Sequence, residues 1–316
     1  MKVLLTGVAG FIGSHTAERM LAGGEEVVGL DNFDPFYDRA AKERNLANFA
    51  DHAGFTFVEA DIRDCEDVER AWAEHGPFDA VLHLAAKAGV RPSIEDPVGY
   101  EQANILGTLH LLEAAAGQQT PPRFVFGSSS SVYGNNEKVP FAEDDPVDHP
   151  ISPYAATKKA CELICHTYHH LYNMPMFCLR FFTVYGPRQR PDLAIMKFAR
   201  RILAGEPIQV FGDGTSSRDY TYIDDIVDGV TAALDRCDGY EVINLGSKNP
   251  VTLAEMVDTV AAACGRAPEI QRLPMQPGDV NRTYADISKA ARLLDYAPSL
   301  PFADGVARQV TWLRQG

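Results

Sequence analysis

The most constraining stretch of this sequence is its beginning. An apolar run from Lys2 to Thr6 meets the loop Gly7-Val8-Ala9-Gly10-Phe11-Ile12-Gly13, and a helical pattern then continues through Leu21. Strand, glycine loop and helix in that order build an anion site. The glycines let the backbone approach a pyrophosphate, and the helix N-terminus supplies free N–H groups and a positive dipole end. Gly7, Gly10 and Gly13 take this role. A second strand, Glu26 to Leu30, runs into Asp31, eighteen residues past Gly13. A carboxylate there can accept both ribose hydroxyls and would repel a 2′-phosphate, which favours NAD over NADP.

The alternation continues down the chain. A helical segment around Arg39 to Phe49 leads to a third strand, Phe55 to Glu59, and then to Asp61-Ile62. Asp61 is suited to an adenine amino group, and the same cluster is equally suited to capping a helix from Asp64. The fourth strand, Ala80 to Leu84, opens into Ala85 and Ala86, whose small side chains suit a backbone lying against a cofactor. His83 reads as a packed strand histidine. Arg91 lies just past that strand end, where a ligand cation belongs, although a surface arginine is the plainer alternative. Residues 100 to 117 form one long helix containing Asn104, and the fifth strand, Arg123 to Gly127, ends in the serine run 128 to 131. Met176 to Phe181 is the sixth strand, and Glu241 to Leu245 returns to the sheet.

The fold expected is α/β: a Rossmann-type doubly wound parallel sheet over 1–182 with a returning segment at about 220–247. After Phe182 the periodicity changes. A helix from about Leu193 to Ala204, a strand-like Ile208 to Phe211 and a turn at Gly212-Asp213-Gly214 place a smaller α/β substrate domain in 183–219 and 248–316.

The chemistry centres on Ser152-Pro153-Tyr154-Ala155-Ala156-Thr157-Lys158. Ser152 can cap a helix and Pro153 suits its first turn, so Tyr154 and Lys158 share a face four residues apart. A nearby ammonium favours the phenolate over the phenol, whose reference pKa is about 10, so Tyr154 can take a proton from an alcohol. The serine hydroxyls emerge at the carboxyl edge of the sheet beside this helix, completing a Ser-Tyr-Lys constellation.

Composition narrows the partners. The formal charge is -14, which argues against nucleic-acid binding over a broad surface, so an anionic ligand must be held by local cations. There is no 18-residue apolar run and no signal-peptide pattern, so no membrane is implied and a soluble, cytoplasmic protein is expected. The six cysteines are scattered without CxxC pairing and read as reduced thiols. Cys161, Cys165 and His169 align on one helical face, where a packed apolar face is the expected reading and no metal is assigned.

With the glycine loop, serine run and Tyr-Lys spacing assembled, the chain resembles the extended short-chain dehydrogenase/reductases, and among them the NAD-dependent nucleotide-sugar epimerases. The likeness covers essentially the whole chain. It is carried by His83 to Arg91, Glu143 to Asp145 with Val147 to Pro150, Phe181 to Pro187 with Arg190 to Asp192, and Pro274 to Asp279. It implies Tyr154 as base, Lys158 as its partner and ligand of the nicotinamide ribose, and Ser129 as assisting hydroxyl. It also implies that Gly7, Gly10, Phe11, Ile12, Gly13, Asp31, Asn32, Asp61, Ile62, Leu84, Ala85, Ala86 and Asn104 hold NAD. Arg218 and Asp279 match positions that hold pyrophosphate and uridine ribose, and Val210 and Phe211 lie where uracil sits.

The resemblance further implies interconversion of UDP-glucuronate and UDP-galacturonate by C4 oxidation, turning of the 4-keto sugar and re-reduction. A UDP-glucose/UDP-galactose 4-epimerase or another nucleotide-sugar epimerase is the alternative. Sister dehydratases and decarboxylases usually carry an acid directly after the catalytic hydroxyl, where this chain has Ser130 and Ser131. Thr183, Arg190 and the serines 129 to 131 are the candidates for restraining a uronate carboxylate, with Arg91 a further substrate contact. Two departures from the family pattern are Lys87, where a neutral residue is commoner, and Gln276, which replaces an arginine of UDP-galactose 4-epimerases. The apolar faces of the 100–117 and 153–173 helices suggest a homodimer.

Overall fold

The computed structural model describes residues 1–274 and 280–315. Its strands are, in chain order, β1 (Lys2–Thr6), β2 (Glu26–Asp31), β3 (Phe55–Glu59), β4 (Ala80–His83), β5 (Arg123–Ser129), β6 (Met176–Phe181), β7 (Thr183–Tyr185), β8 (Ile208–Phe211), β9 (Ser217–Tyr222), β10 (Tyr240–Leu245), β11 (Pro250–Thr252) and β12 (Ile270–Leu273). The main sheet runs β10-β6-β5-β4-β1-β2-β3, all parallel. Strand order reverses between β1 and β4, so the connections after these two strands leave to opposite faces and open a crevice at their carboxyl ends.

Side chains alternate across the sheet. Val3 and Leu5 enter one hydrophobic core and Leu4 the other, and both faces are covered by helices. This two-sided burial explains the nearly unbroken apolar character of β1, β4 and β5. Truncating a fully buried residue such as Leu4 to alanine should cost about 2–5 kcal/mol. Beyond the main sheet, β11-β9-β7 and β12-β8 form two small sheets that carry the segments after Phe182.

The helix Pro153–Tyr172 begins as its sequence dictates. Ser152 Oγ accepts from Ala155 N at 3.1 Å, and Pro153 occupies the first turn. The long helix expected over 100–117 is instead three pieces: Pro97–Glu101, a π-helical turn at Gln102–Leu106, and Gly107–Ala116. Such bulges redirect a side chain without ending the helix, and here the redirected region contains Asn104. No helix among the described residues is long and apolar enough to cross a membrane.

Candidate active site

A cleft of about 510 Å³ opens at the carboxyl ends of β1, β2, β4 and β5. Its floor is the glycine loop. Gly7 has φ +74°, and a Cβ there would lie 2.8 Å from Ala85 N; a Cβ on Gly13 would lie 2.1 Å from Gly7 O. The backbones are therefore packed as closely as glycine allows, leaving the helix Phe11–Ala22 to start at the cleft. Its N-cap, Gly10, offers no side chain to the first-turn N–H groups. An anionic diphosphate fits this cradle on both counts, space and free donors.

The side walls of this half are hydrogen-bonded carboxylates. Asp31 Oδ2 accepts from Ala9 N at 3.1 Å and Oδ1 from Phe33 N at 2.9 Å, which fixes the carboxylate at the cleft edge with lone pairs to spare. Burial pushes its pKa up, opposed by Lys42. Asp61 does not cap the following helix; Asp64 does, accepting from Glu66 N at 2.9 Å. Asp61 instead receives Asn32 Nδ2 at 2.9 Å and Arg63 Nη2 at 2.6 Å. Burial works against its charge, but these donors win and hold its carboxyl at about 2. Asn32, Ile62, Leu84, Ala85 and Ala86 line the same space.

Asn104, expected to contact the cofactor, is placed behind the cleft lining. It is buried, accepting from Lys87 N at 2.8 Å and donating to Lys87 O and Thr157 Oγ1, both at 3.0 Å. It ties the loop after β4 to the Tyr154 helix and does not line the cleft. Lys87 lines the cleft and pairs with Asp96 Oδ2 at 2.6 Å.

Ser129, Tyr154 and Lys158 line the same cleft. Burial pushes the Tyr154 phenol up, while a hydrogen bond with Ser129 and the charge of Arg190 pull it down. The Lys158 ammonium, expected to meet the phenol, donates to Gly127 O at 2.6 Å. A lysine only 4% exposed must satisfy its charge, and the carbonyl at the end of β5 is the acceptor it finds. Burial also lowers its pKa to about 8. Arg190, from outside the YxxxK motif, adds a second cation whose charge lowers the Tyr154 pKa. Ser131 Oγ donates to Ser129 Oγ at 2.8 Å, so the serine run is a hydroxyl chain rather than a linker.

Ser130, Ser131, Thr183, Arg190 and Arg218 line the cleft as well. Arg218 Nη1 donates to Ser217 O at 2.9 Å. Val210 and Phe211, with Arg91, lie outside the cleft lining; the Arg91 guanidinium is 5.2 Å from the Phe211 ring centre. Asp279 and Gln276 fall outside the described residues. Sequence reasoning missed Asp34, Phe36, Tyr37 and Lys42, which come from the irregular segment after β2 and the helix behind it. Lys42, Arg63, Lys87, Lys158, Arg190 and Arg218 give this acidic chain a cation-rich cleft.

His83 is buried between Thr6 Oγ1 at 2.7 Å and Thr108 Oγ1 at 2.9 Å, and burial followed by the Lys158 charge pushes it down to about 3. Cys161 Sγ donates to Asn104 O at 3.2 Å, and His169 Nδ1 lies 2.8 Å from Met174 O, so these side chains have packing partners of their own.

Comparison with known proteins agrees with this geometry. The family model described as GDP-mannose 4,6 dehydratase matches residues 4–309. The chain is 42% identical to the UDP-glucuronate 4-epimerase of Thermodesulfobacterium geofontis over 99% of its length and 96% of that protein's. Among solved structures it resembles UDP-glucuronic acid 4-epimerase from Bacillus cereus, determined with UDP-glucuronic acid and NAD. That match has TM-score 0.94 and 38% identity, covering 100% of this chain and 99% of the other. UDP-glucose 4-epimerase from Thermotoga maritima, with UDP-glucose, follows at TM-score 0.90 and 34% identity, covering 100% and 99%.

Proposed function

The chain belongs to the GDP-mannose 4,6 dehydratase family, and from that premise we propose that it interconverts UDP-glucuronate and UDP-galacturonate by inverting C4 with bound NAD. One observation carries the reading. A single cleft is lined by Ser129, Tyr154 and Lys158 together with Thr183 and Arg190, and no acidic side chain follows Ser129.

When bound, NAD supplies reversible two-electron oxidation at the sugar C4. Tyr154 takes the 4-hydroxyl proton and gives it back, with Ser129 sharing the same oxygen. Lys158, anchored on Gly127 O, holds the nicotinamide ribose. Gly7, Gly10, Phe11, Ile12 and Gly13 hold the pyrophosphate, Asp31 and Asn32 the adenosine ribose, and Asp61 and Ile62 the adenine end. Leu84, Ala85 and Ala86 flank the dinucleotide, and Asn104 braces them through Lys87. With Ser130 and Ser131 in place of an acid, nothing there protonates a leaving hydroxyl, so inversion is the chemistry that remains.

A uronate oxidised at C4 is a β-keto acid. It loses CO2 when the C5–C6 bond aligns with the carbonyl π system. Thr183, Arg190 and the hydroxyls of Ser129, Ser130 and Ser131 are the donors that hold the carboxylate out of that alignment. Arg218, with Asp279, Val210, Phe211 and Arg91, serves the nucleotide. On this reading 1–182 and about 220–247 bind the dinucleotide, and 183–219 with 248–316 bind the nucleotide sugar.

We propose also that the protein is a cytoplasmic homodimer. Leu106, on the first expected pairing helix, and Leu163, Leu171 and Tyr172 of the Pro153–Tyr172 helix leave large apolar side chains exposed, with Val98 just before the first, which supports the dimer. The second reading, a UDP-glucose/UDP-galactose 4-epimerase, is supported by the likeness to the Thermotoga maritima structure. Incubating the purified protein with UDP-glucuronate and, separately, UDP-glucose, without added NAD, decides between them. UDP-galacturonate without UDP-pentose is the expected product. Conversion of UDP-glucose alone contradicts the uronate reading and promotes the second.

A further inference from the structure

Arg190 lines the cleft, but its fork is not open. Its Nε donates to Asp192 Oδ1 at 3.0 Å and its Nη2 to Asp192 Oδ2 at 2.8 Å, a side-on bidentate pair. One face of the same guanidinium is covered by Phe36, whose ring centre lies 4.9 Å from Cζ. We propose that Asp192 and Phe36 are positioning residues: by fixing the plane of Arg190 from two sides they make it a selective receptor for a sugar carboxylate. This rests on the uronate reading above, because it assigns Arg190 to that carboxylate.

The donor count supports the assignment. Arginine has five N–H donors in one plane. Asp192 takes two, on the Nε–Nη2 edge, and the end-on Nη1–Nη2 edge keeps a matched pair for a second carboxylate. A mobile arginine must surrender about 2 kcal/mol of rotamer freedom when it binds. Here that freedom is already restricted before any ligand arrives, and the in-plane pair fixes direction while the ring fixes tilt. Phe36 is 37% exposed, so its ring is not held there by burial in a core. The Asp192 side chain is 44% exposed, and a pair with so exposed a partner contributes little to folding.

The clasp also joins two parts of the chain. Phe36 comes from the segment after β2 that begins with the cofactor-side Asn32, whereas Arg190 and Asp192 follow β7. The charge of Arg190 also reaches Tyr154. A carboxylate seated on the end-on edge is gripped at two points, which holds the C5–C6 bond near the plane of a C4 carbonyl. In that plane its electrons do not overlap the π system. A tilted guanidinium loses this restraint: the C5–C6 bond then breaks, CO2 leaves with C6, C5 takes up a proton, and the 4-keto pentose becomes UDP-pentose when the hydride taken from C4 in the proposed oxidation is returned to it.

The test uses Asp192→Asn and Phe36→Leu in the full chain, with UDP-glucuronate as substrate. Three readouts are needed: the partition between C4 epimer and UDP-pentose, the rate of epimerisation, and the inhibition constant of UDP-glucose, which lacks the carboxylate. Both variants should release UDP-pentose and lose up to about 100-fold in epimerisation rate, with the UDP-glucose inhibition constant unchanged. Wild-type partition in both variants overturns the proposal, as does a parallel loss of UDP-glucose affinity, which would mark a merely structural role. Arg190→Gln separates the two levels. If it yields UDP-pentose while the other two variants do not, the uronate reading stands and the positioning inference falls. If Arg190→Gln leaves the partition unchanged, the assignment of Arg190 to the carboxylate falls and the positioning inference with it, whereas the uronate reading falls only if the wild-type protein converts UDP-glucose and not UDP-glucuronate.

Discussion

Two arginine–carboxylate pairs in this molecule have nearly the same geometry and opposite surroundings. Arg180 grips Glu162 side-on, Nε to Oε1 and Nη2 to Oε2, both at 2.9 Å, as Arg190 grips Asp192 at 3.0 and 2.8 Å. The first pair is 2% and 1% exposed, the second 17% and 44%. Around Arg180 the Nη1 donors are used up, one on Tyr133 Oη at 2.9 Å and one on Glu143 O at 3.4 Å, and Glu162 also takes Ser128 Oγ at 2.7 Å. That pair locks β5, β6 and the Pro153–Tyr172 helix to one another next to Ser129. Each guanidinium lies against a ring, Tyr133 at 4.8 Å and Phe36 at 4.9 Å, but around Arg190 an edge is left for a ligand. Identical forks therefore serve architecture or recognition according to what remains unpaired.

The comparison can be broken at several points. The largest effect is expected at the phenol that the charge of Arg190 reaches: Tyr154→Phe should lower kcat by about 10²–10⁴-fold while bound NAD, measured after denaturing the purified variant, is retained. Loss of NAD from that variant would contradict the separation of base and cofactor roles. Next, Glu162→Gln should destabilise the fold by about 3–5 kcal/mol, because Arg180 is left buried and uncompensated, with the epimer still the sole product. A changed product with an unchanged denaturation midpoint would erase the distinction between the pairs.

His83 sharpens it from another side, being buried with hydroxyl partners and no counter-charge. Its folded pKa is depressed to about 3 against 6.5 in the unfolded chain. Above pH 6.5 it has no effect on stability. As pH falls from 6.5 toward 3 the unfolded chain takes up a proton that the folded chain refuses, so stability should decline by about 1.4 kcal/mol per pH unit from this group. His83→Gln should flatten that part of the denaturation profile, and an unaltered slope would contradict the assignment. The smallest stability effect is expected for Asp192→Asn, under about 1 kcal/mol by denaturant titration. A loss as large as that of Glu162→Gln would make the second pair structural too.

Legibility in the sequence followed the range of the interactions. The glycine loop, the strands of the main sheet and the Tyr154–Lys158 spacing depend on neighbours a few residues apart, and the pattern carries them. The π turn at Gln102–Leu106 needs no special residue, so the apolar pattern of 100–117 reads as ordinary helix, and the contacts of Asn104 with Lys87 and Thr157 are tertiary. The Tyr154–Lys158 spacing puts both on one helical face, but the hydrogen-bond acceptor of the buried Lys158 ammonium, Gly127 O on β5, is a tertiary partner that spacing does not encode. Phe36 and Tyr37 sit in an irregular segment whose direction no periodicity encodes. The Arg190–Asp192 spacing is visible in the chain, but its meeting with Phe36 is tertiary.

The most direct test of the central claim, inversion at C4 with the carboxylate kept, is to give the purified protein UDP-glucuronate deuterated at C4 and to analyse the product by mass spectrometry and NMR. The account predicts UDP-galacturonate that keeps its deuterium at C4, without added NAD and without UDP-pentose. Product that has lost the deuterium, or has lost the mass of CO2, would contradict it.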